Sequence, residues 1–458
     1  MLFFILLRKN FYLRIEMKTY TYGQIWKIAF PVLISLLMEQ LVGMTDTAFL
    51  GRVGEVELGA SALGSIFYIA VFVLGMGLGT GAQILMGRRN GEGLFHEVGN
   101  FFYHSLFLLL LVATILFTIV RNFSPWLLAQ MISSQDVYAA ACEYVEWRVY
   151  GFFFAYIAIM FRAFYVATTQ TKTLTLNSVM MVASNILFNY VLIFGKFGFP
   201  ALGIAGAAIG SVMAECVSML FFIFYTRFRL DYHKYGLHLK PHFRHHFLRK
   251  ILSISIWTMV QNFLSLGTWF LFFLAVEHLG ERELAVSNII RNISSLLYMT
   301  LSAMASTVST LVSNLMGQDE NDAVLPMVSR ALKLSAYIIF PMAALIAIFP
   351  EWVLAIYTDE TELIVVGVAP LFVLLSSYLF TVPQRIYLSA TMGSGNTRRA
   401  LWIEVVSLAI YSLFIYVVIF HDKAPLWVCW FSEYVYSIPA MLLAWIYMRS
   451  NKWRSRKI

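Results

Sequence analysis

Residues 25–50 form an apolar run long enough to cross a bilayer, and eleven comparable runs follow it. The runs predict twelve membrane spans near 25–50, 58–86, 98–120, 140–168, 174–194, 204–226, 251–277, 284–316, 326–349, 363–390, 400–420 and 426–448. Polar, turn-forming stretches separate them, among them "RRNGEG", "TQTKT", "GKFGFPALG", "GQDEND", "GSGNTRR" and "HDKAP". Short alternating segments of the kind that build a membrane β-barrel are absent from the pattern.

Composition agrees with the pattern. Of 458 residues, 60% are hydrophobic and only 13% are charged, about half the charge of an average soluble domain. Cys142, Cys216 and Cys429 are scattered in apolar stretches with no CxxC pair, and read as small buried hydrophobes. The first residues carry a short apolar run before Arg8 and Lys9 without a cleavage site, so no signal peptide is predicted, and Met17 is an alternative start.

The net charge of +8 is distributed unevenly. Arg8, Lys9, Arg14, Lys18, Lys27, Arg88, Arg89, Lys172, the 227–250 loop, Arg330, Lys333, Arg398, Arg399 and the "RSNKWRSRK" tail fall on one side. Arg52, Arg121, Arg148, Lys196, Arg282 and Lys423 fall on the other. The richer side is expected in the cytoplasm with both termini, and the chain in an inner, cytoplasmic membrane. Topology accounts for the charge, so no nucleic-acid partner is predicted. The five histidines of "TRFRLDYHKYGLHLKPHFRHHFLRK" lack companion cysteines or carboxylates at ligand spacing, and read as a solvated basic loop near headgroups rather than a metal site.

The chain also repeats itself. "VGEVELGAS" (53–61) resembles "LGERELAVS" (279–287) at an offset of 226, and "FSPWLLA" (123–129) resembles "FPEWVLA" (349–355) at the same offset. "LMG" recurs at 85–87 and 315–317, and Arg162 with its following segment resembles Arg385 and "IYLSAT". The predicted organisation is a tail (1–24), an N-lobe of six spans (25–226), a basic linker (227–250), a C-lobe of six spans (251–448) and a basic tail (449–458). An even number of spans per copy gives both copies one membrane orientation. In membrane proteins built from two such copies, a ligand site is expected between the halves near midplane.

Charges inside the spans carry the chemistry. Glu39 and Asp46 are seven residues apart and share a helix face. A charge at the bilayer midplane costs roughly 2.5–3.5 kcal/mol on insertion scales, so that face is expected to turn inward. Asn185 and Asn189, and likewise Ser211 and Glu215, are four residues apart, and the three faces could meet in an oxygen-rich pocket. Desolvation favours a neutral carboxyl and donors favour an ionised one, so such a group can hold a proton in one state and release it in another. Arg162, Arg291 and Arg385 lie in or near spans; Glu404 and Glu433 are carboxyls of the second half without an assigned role. "GMGLGTG" (75–81) lies inside a span and follows no strand, so it reads as a site of close helix approach, not a nucleotide loop.

"PVLISLLMEQLVGMTDTAFLGRVGEVELGASALG" followed by "GTGAQILMGRRNGEG" resembles the first two helices of multidrug and toxic compound extrusion (MATE) transporters, through Pro31, Asp46, Thr47, Gly51 and Gly54. "NILFNYVLIFGKFGFPALGIAGAAIGSVMAE" and "VQNFLSLGTWFLFFLAVEHLGE" resemble that family's fifth to seventh helices, and the "AGAAIGSVMAE" ending its DinF-like branch. The resemblance implies an all-α MATE/MOP fold, with two six-helix lobes related by a pseudo-twofold axis. It implies export of drugs or metabolites in exchange for protons or sodium, with no other cofactor and no enzymatic activity. Asp46 takes the ion-coupling role, Asn185 and Asn189 coordinating positions, and Ser211 a hydroxyl position; Glu215 and Glu39 are further candidates. Where many members carry a second Asp on the fifth helix this chain has Asn189, which favours protons over sodium at Asp46, Asn185, Asn189 and Ser211. Pro31 is the candidate kink through which protonation bends the first span. The aromatic content, 39 Phe, 24 Tyr and 11 Trp, suits small lipophilic cations carried by a monomer in the bilayer. The alternatives are a lipid-linked oligosaccharide flippase and an intramembrane enzyme; the latter lacks HExxH, GxGD and GxSxG motifs.

Overall fold

A computed structural model describes residues 20–237 and 244–456. The predicted tail's Arg8, Lys9, Arg14 and Lys18, and His238 and His242 of the basic loop, lie outside the described residues. Within them the chain is helical, with no β-strand among the described residues. In bilayer hydrocarbon each backbone amide and carbonyl must be paired within the protein, which a helix does alone.

The first half holds α1 (Tyr22–Leu50), α2 (Glu55–Gly91), α3 (Phe95–Met131), α4 (Gln135–Arg148), α5 (Gly151–Ala167), α6 (Lys172–Phe194) and α7 (Gly203–Arg229). The second holds α8 (His245–Glu277), α9 (Glu281–Gly317), α10 (Asn321–Ile348), α11 (Pro350–Ala355), α12 (Thr361–Gly393), α13 (Thr397–Ile415), α14 (Leu426–Cys429) and α15 (Ser432–Arg449). A π-helical segment, Tyr416–His421, continues α13. Among the described residues eleven helical stretches are long and apolar enough to span, counting α13 with its π-helical end and α14 with α15 as one each, and the α4–α5 pair, bent by 48°, makes the twelfth. The expected single span 140–168 is therefore broken at Val149–Tyr150. The helices also overrun their apolar cores: α2 has 37 residues, about 55 Å at 1.5 Å per residue, against roughly 30 Å of hydrocarbon.

The two halves repeat their packing. α1 lies on α6 and α6 on α7, as α8 lies on α13 and α13 on α15; α2 packs on α5 as α9 packs on α12. The 37-residue helices α2 and α9 also start alike, on Gly54 and Gly280, with Glu57 and Glu283 folded back over the glycine. A side chain on either glycine would meet that carboxylate. One apolar core is centred on α2–α7 and a second on α9–α15. The cytoplasm-predicted start of α1 crosses over, placing Ile25, Ile28 and Ala29 in the second core. The basic tail docks as well: Trp453 is fully buried, its indole donating to the Met448 carbonyl at 2.7 Å.

The halves meet along one end of α2. Thr258 donates to the Gly77 carbonyl at 2.6 Å, Gln83 to Thr310 at 2.8 Å, Ser313 to the Ile84 carbonyl at 2.6 Å, and Asn90 to Asn314 at 2.7 Å. Gly77 and Gly81 let α2 approach α8 until their missing Cβ atoms would sit 2.5 Å and 2.7 Å from the Cα atoms of Met259 and Ser255, which is the close-approach role read from the glycine run. Among the described residues the hydrogen bonds from α2 to α8 and α9 fall between Gly77 and Asn90. Toward the opposite ends, Ile66 and Ile69 of α2 and Leu296 and Tyr298 of α9 are exposed.

Candidate functional site

Asp46 lies near the end of α1, where that helix crosses α6 and α7. Its Oδ1 accepts hydrogen bonds from Asn185 Nδ2 at 3.1 Å and Asn189 Nδ2 at 2.5 Å; its Oδ2 accepts from Ser211 Oγ at 2.9 Å. Asn189 also donates to Asn185 Oδ1 at 3.3 Å, and Asn185 to Ser211 Oγ at 3.2 Å. Asn185 and Asn189 are fully buried and Ser211 nearly so. The i,i+4 spacing on α6 stacks the two amides on one face, and Gly210 makes room for them, since a Cβ there would land on Asn189 Oδ1. Three donors therefore converge on one carboxylate, an arrangement suited to its ionised form. One buried acceptor, Asn189 Oδ1, has no partner.

Glu215, one turn beyond Ser211, does not join this ring directly. It takes a bidentate pair of hydrogen bonds from Arg148, at 2.7 Å and 3.0 Å, and a third from Tyr68 at 2.5 Å. Arg148 stacks 3.5 Å from the centre of the Tyr68 ring, and both charged side chains are largely buried, 12% and 14% exposed.

Glu39 diverges from Asp46. It pairs with Arg162 of α5 at 2.5 Å and is part-exposed, so the face shared with Asp46 is divided between two neighbouring helices. Pro31 is buried within a continuous α1, and its carbonyl accepts from Thr175 of α6 at 3.5 Å. Among the described residues no group of three or more His, Cys, Asp or Glu side chains could hold a metal ion.

Arg148 is the main group for which the sequence supplies no role. It belongs to the sparser set of basic residues and falls inside the predicted span 140–168, and the structure pairs it with Glu215 of α7. The available signal was its position: it falls inside the predicted span 140–168, where an unpaired arginine is costly.

The chain matches the MatE family model twice, over residues 31–191 and 258–417, two stretches separated by nearly the repeat offset seen in the sequence. It is 24% identical to the probable multidrug resistance protein NorM of Thermotoga maritima, over 94% of this chain and 93% of that one. It is 25% identical to the probable multidrug resistance protein YoeA of Bacillus subtilis, over 82% of each. Among solved structures, the outward-facing conformation of a multidrug resistance MATE family transporter superposes with a TM-score of 0.87 at 17% identity, covering 95% of this chain and 97% of that one. A MOP superfamily transporter from Pyrococcus furiosus superposes with a TM-score of 0.83 at 18% identity, covering 94% and 95%. These likenesses establish the fold, and the double match, which spans more than two thirds of the 458 residues, establishes the family: the chain belongs to the MatE family of membrane transporters.

Proposed function

We propose that this protein is a proton-coupled antiporter that exports small lipophilic, cationic drugs or metabolites by alternating access of its two lobes, 25–226 and 251–448. The observation that carries the reading is the ring of Asn185, Asn189 and Ser211 around Asp46. Coupling requires a group that is held differently in two protonation states. Ionised Asp46 accepts from all three donors. Protonated Asp46 becomes a donor itself, and the unpartnered Asn189 Oδ1 is the acceptor at hand once that amide turns over. The change breaks the bond from Asn189 Nδ2 and alters how α1 is tied to α6. Pro31 lies fifteen residues before Asp46 on the same helix, where a missing backbone bond lowers the resistance to bending.

Sodium fits the ring less well. A sodium ion needs several oxygens and favours more than one negative charge, whereas Asn185, Asn189 and Ser211 point N–H and O–H groups at the only carboxylate of the ring. Glu215, the nearest second acid, is already neutralised by Arg148.

With the basic ends in the cytoplasm, the contacts between Gly77 and Asn90 seal the cytoplasmic side and the exposed stretches of α2 and α9 open outward. The protein works as a monomer in the inner membrane. Uptake of a panel of cationic dyes into proteoliposomes, with pH and sodium gradients imposed separately, tests this. Accumulation driven by the pH gradient alone is expected; accumulation that needs sodium and ignores pH overturns the coupling assignment.

A further inference from the structure

The basic end of the molecule holds a cavity that the Asp46 ring does not use. It measures about 410 Å³ and lies between the starts of α1 and α6. Gln24 and Lys27 line it from α1, and Thr171, Lys172 and Thr173 from the start of α6. Both lysines are exposed, and neither forms an ion pair among the described residues. Among the described residues no acidic side chain lines the cavity. Thr171 and Thr173 are 2% and 3% exposed, yet neither hydroxyl has a hydrogen-bond partner among the described residues. A buried hydroxyl without a partner is costly, and these two belong to the cavity wall.

Each of these groups can donate. α6 starts at Thr171 without a side-chain cap, so its first amides have no partner within the helix, and such a helix start favours an anion. α1 starts differently: the Thr21 amide donates to Gln24 Oε1 at 2.9 Å, which leaves the NH2 end of Gln24 for a ligand. Two cations and two unsatisfied hydroxyls around a space without a carboxylate match the chemistry of a phosphate group. One turn deeper in the spans each wall becomes apolar and exposed. Phe30, three residues after Lys27, is 45% exposed, and Leu176, four residues after Lys172, is 50% exposed. These spacings keep each pair on one helix face. A cationic cavity directly above an apolar surface repeats the order of headgroup and acyl chain in a phospholipid. A free phosphate would use only the upper part.

We infer that this cavity binds the phosphate of an anionic phospholipid. Lys27 and Lys172 hold the phosphate oxygens from opposite walls, Thr171 and Thr173 donate to them, and the acyl chains lie along Phe30 and Leu176. The location gives the lipid a structural consequence. The start of α1 packs into the second core through Ile25, Ile28 and Ala29, and the Tyr20 carbonyl accepts from Arg330 of α10 at 3.0 Å. Lys172 belongs to α6 of the first half. A lipid held by both lysines therefore ties the part of α1 that sits on the second half to a helix of the first. Binding needs no proton or sodium gradient, so the site stands or falls independently of the antiport reading.

The test is thermal unfolding of the delipidated full chain in detergent, titrated separately with dioleoylphosphatidylglycerol, dioleoylphosphatidylcholine and inorganic phosphate. A ligand that binds only the folded protein raises the midpoint with its occupancy, which gives an apparent Kd. Phosphatidylglycerol is expected to raise the midpoint saturably, and the other two at equal concentration to leave it unchanged. Lys27→Gln and Lys172→Gln are each expected to weaken the apparent Kd about fivefold, and together about twenty-five-fold, the scale set by one basic residue near an anionic surface. Thr173→Val keeps shape and charge, removes one hydroxyl, and is expected to weaken it about fivefold. Lys333→Gln with Arg399→Gln removes two exposed charges elsewhere on the basic end and is expected to leave it unchanged. Equal loss in that pair, or none in Thr173→Val, means diffuse attraction and overturns the site. Equal stabilisation by phosphatidylcholine overturns the requirement for an anion. Stabilisation by inorganic phosphate that needs the same lysines overturns the lipid as the source. A variant whose lipid-free midpoint falls is read instead by native mass spectrometry of bound phosphatidylglycerol, where undiminished retention by the double lysine variant overturns the inference.

Discussion

Breaking the Arg148–Glu215 pair should be costly, and removing both charges should be cheap. Arg148→Met strips Glu215 of two charge-assisted bonds, each worth about 1.5–3 kcal/mol, and removes a cation–π contact worth about 0.5–2 kcal/mol. It leaves Glu215 with only the Tyr68 hydroxyl. At 12% and 14% exposure the two charges are screened little, so the expected loss is about 3–5 kcal/mol, the range for unpairing a buried charge. Arg148→Met combined with Glu215→Leu leaves no ion behind and is expected to cost about 2 kcal/mol or less, because a buried pair replaced by apolar groups is often near neutral. The coupling energy from the double-mutant cycle should then reach at least 1 kcal/mol in favour of the pair. Reversible unfolding in mixed detergent–denaturant micelles measures all four variants. If the double mutant loses as much as the sum of the single mutants, the pair is not coupled and the argument is wrong.

Other perturbations follow from the same geometry. One proton exchanged down a gradient of one pH unit gives about tenfold accumulation of a monovalent cation; Asp46→Asn should bring the ratio in proteoliposomes to about one with normal expression, and retained accumulation removes Asp46 from coupling. Gly210→Ala places a Cβ on Asn189 Oδ1 and 3.2 Å from its backbone nitrogen, so it should push Asn189 off Asp46 and lower transport at least tenfold while the protein still folds, with transport rate and gel-filtration profile as the readouts. Gly81→Leu would force α2 away from the Ser255 backbone and should raise labelling of cysteines introduced along the Gly77–Asn90 seam; unchanged labelling would show that the seam does not depend on this contact. Pro31→Ala should slow turnover by stiffening α1, and near-normal transport would count against bending of that helix as the switch.

Membrane class, span number, the duplicated six-span unit and the family resemblance could all be read from one sequence, because each rests on local quantities. Apolar run length, turn residues and matched segments survive without knowledge of the fold. The Asp46 ring was also legible, since Asn185 with Asn189 and Ser211 with Glu215 advertise single faces through their four-residue spacing. Helical periodicity says which face of a helix is costly to expose. It does not say which neighbour receives each turn of that face.

Partner choice is where tertiary structure decided. Glu39 and Asp46 share a face by spacing, yet α1 crosses its neighbours at an angle, so one turn reaches Arg162 on α5 and another reaches α6 and α7. Arg148 falls inside a predicted span without a visible partner, and the break at Val149–Tyr150 turns the end of α4 inward onto Glu215. Glu404 had no role in the sequence because its partners, Ser265 and Tyr436, lie 139 and 32 residues away. The sequence by itself therefore determined which groups had to be buried, by the cost of placing charge in hydrocarbon. Only the packing of helices distant in the chain decided which of those groups are paired and which keep an unpaired oxygen.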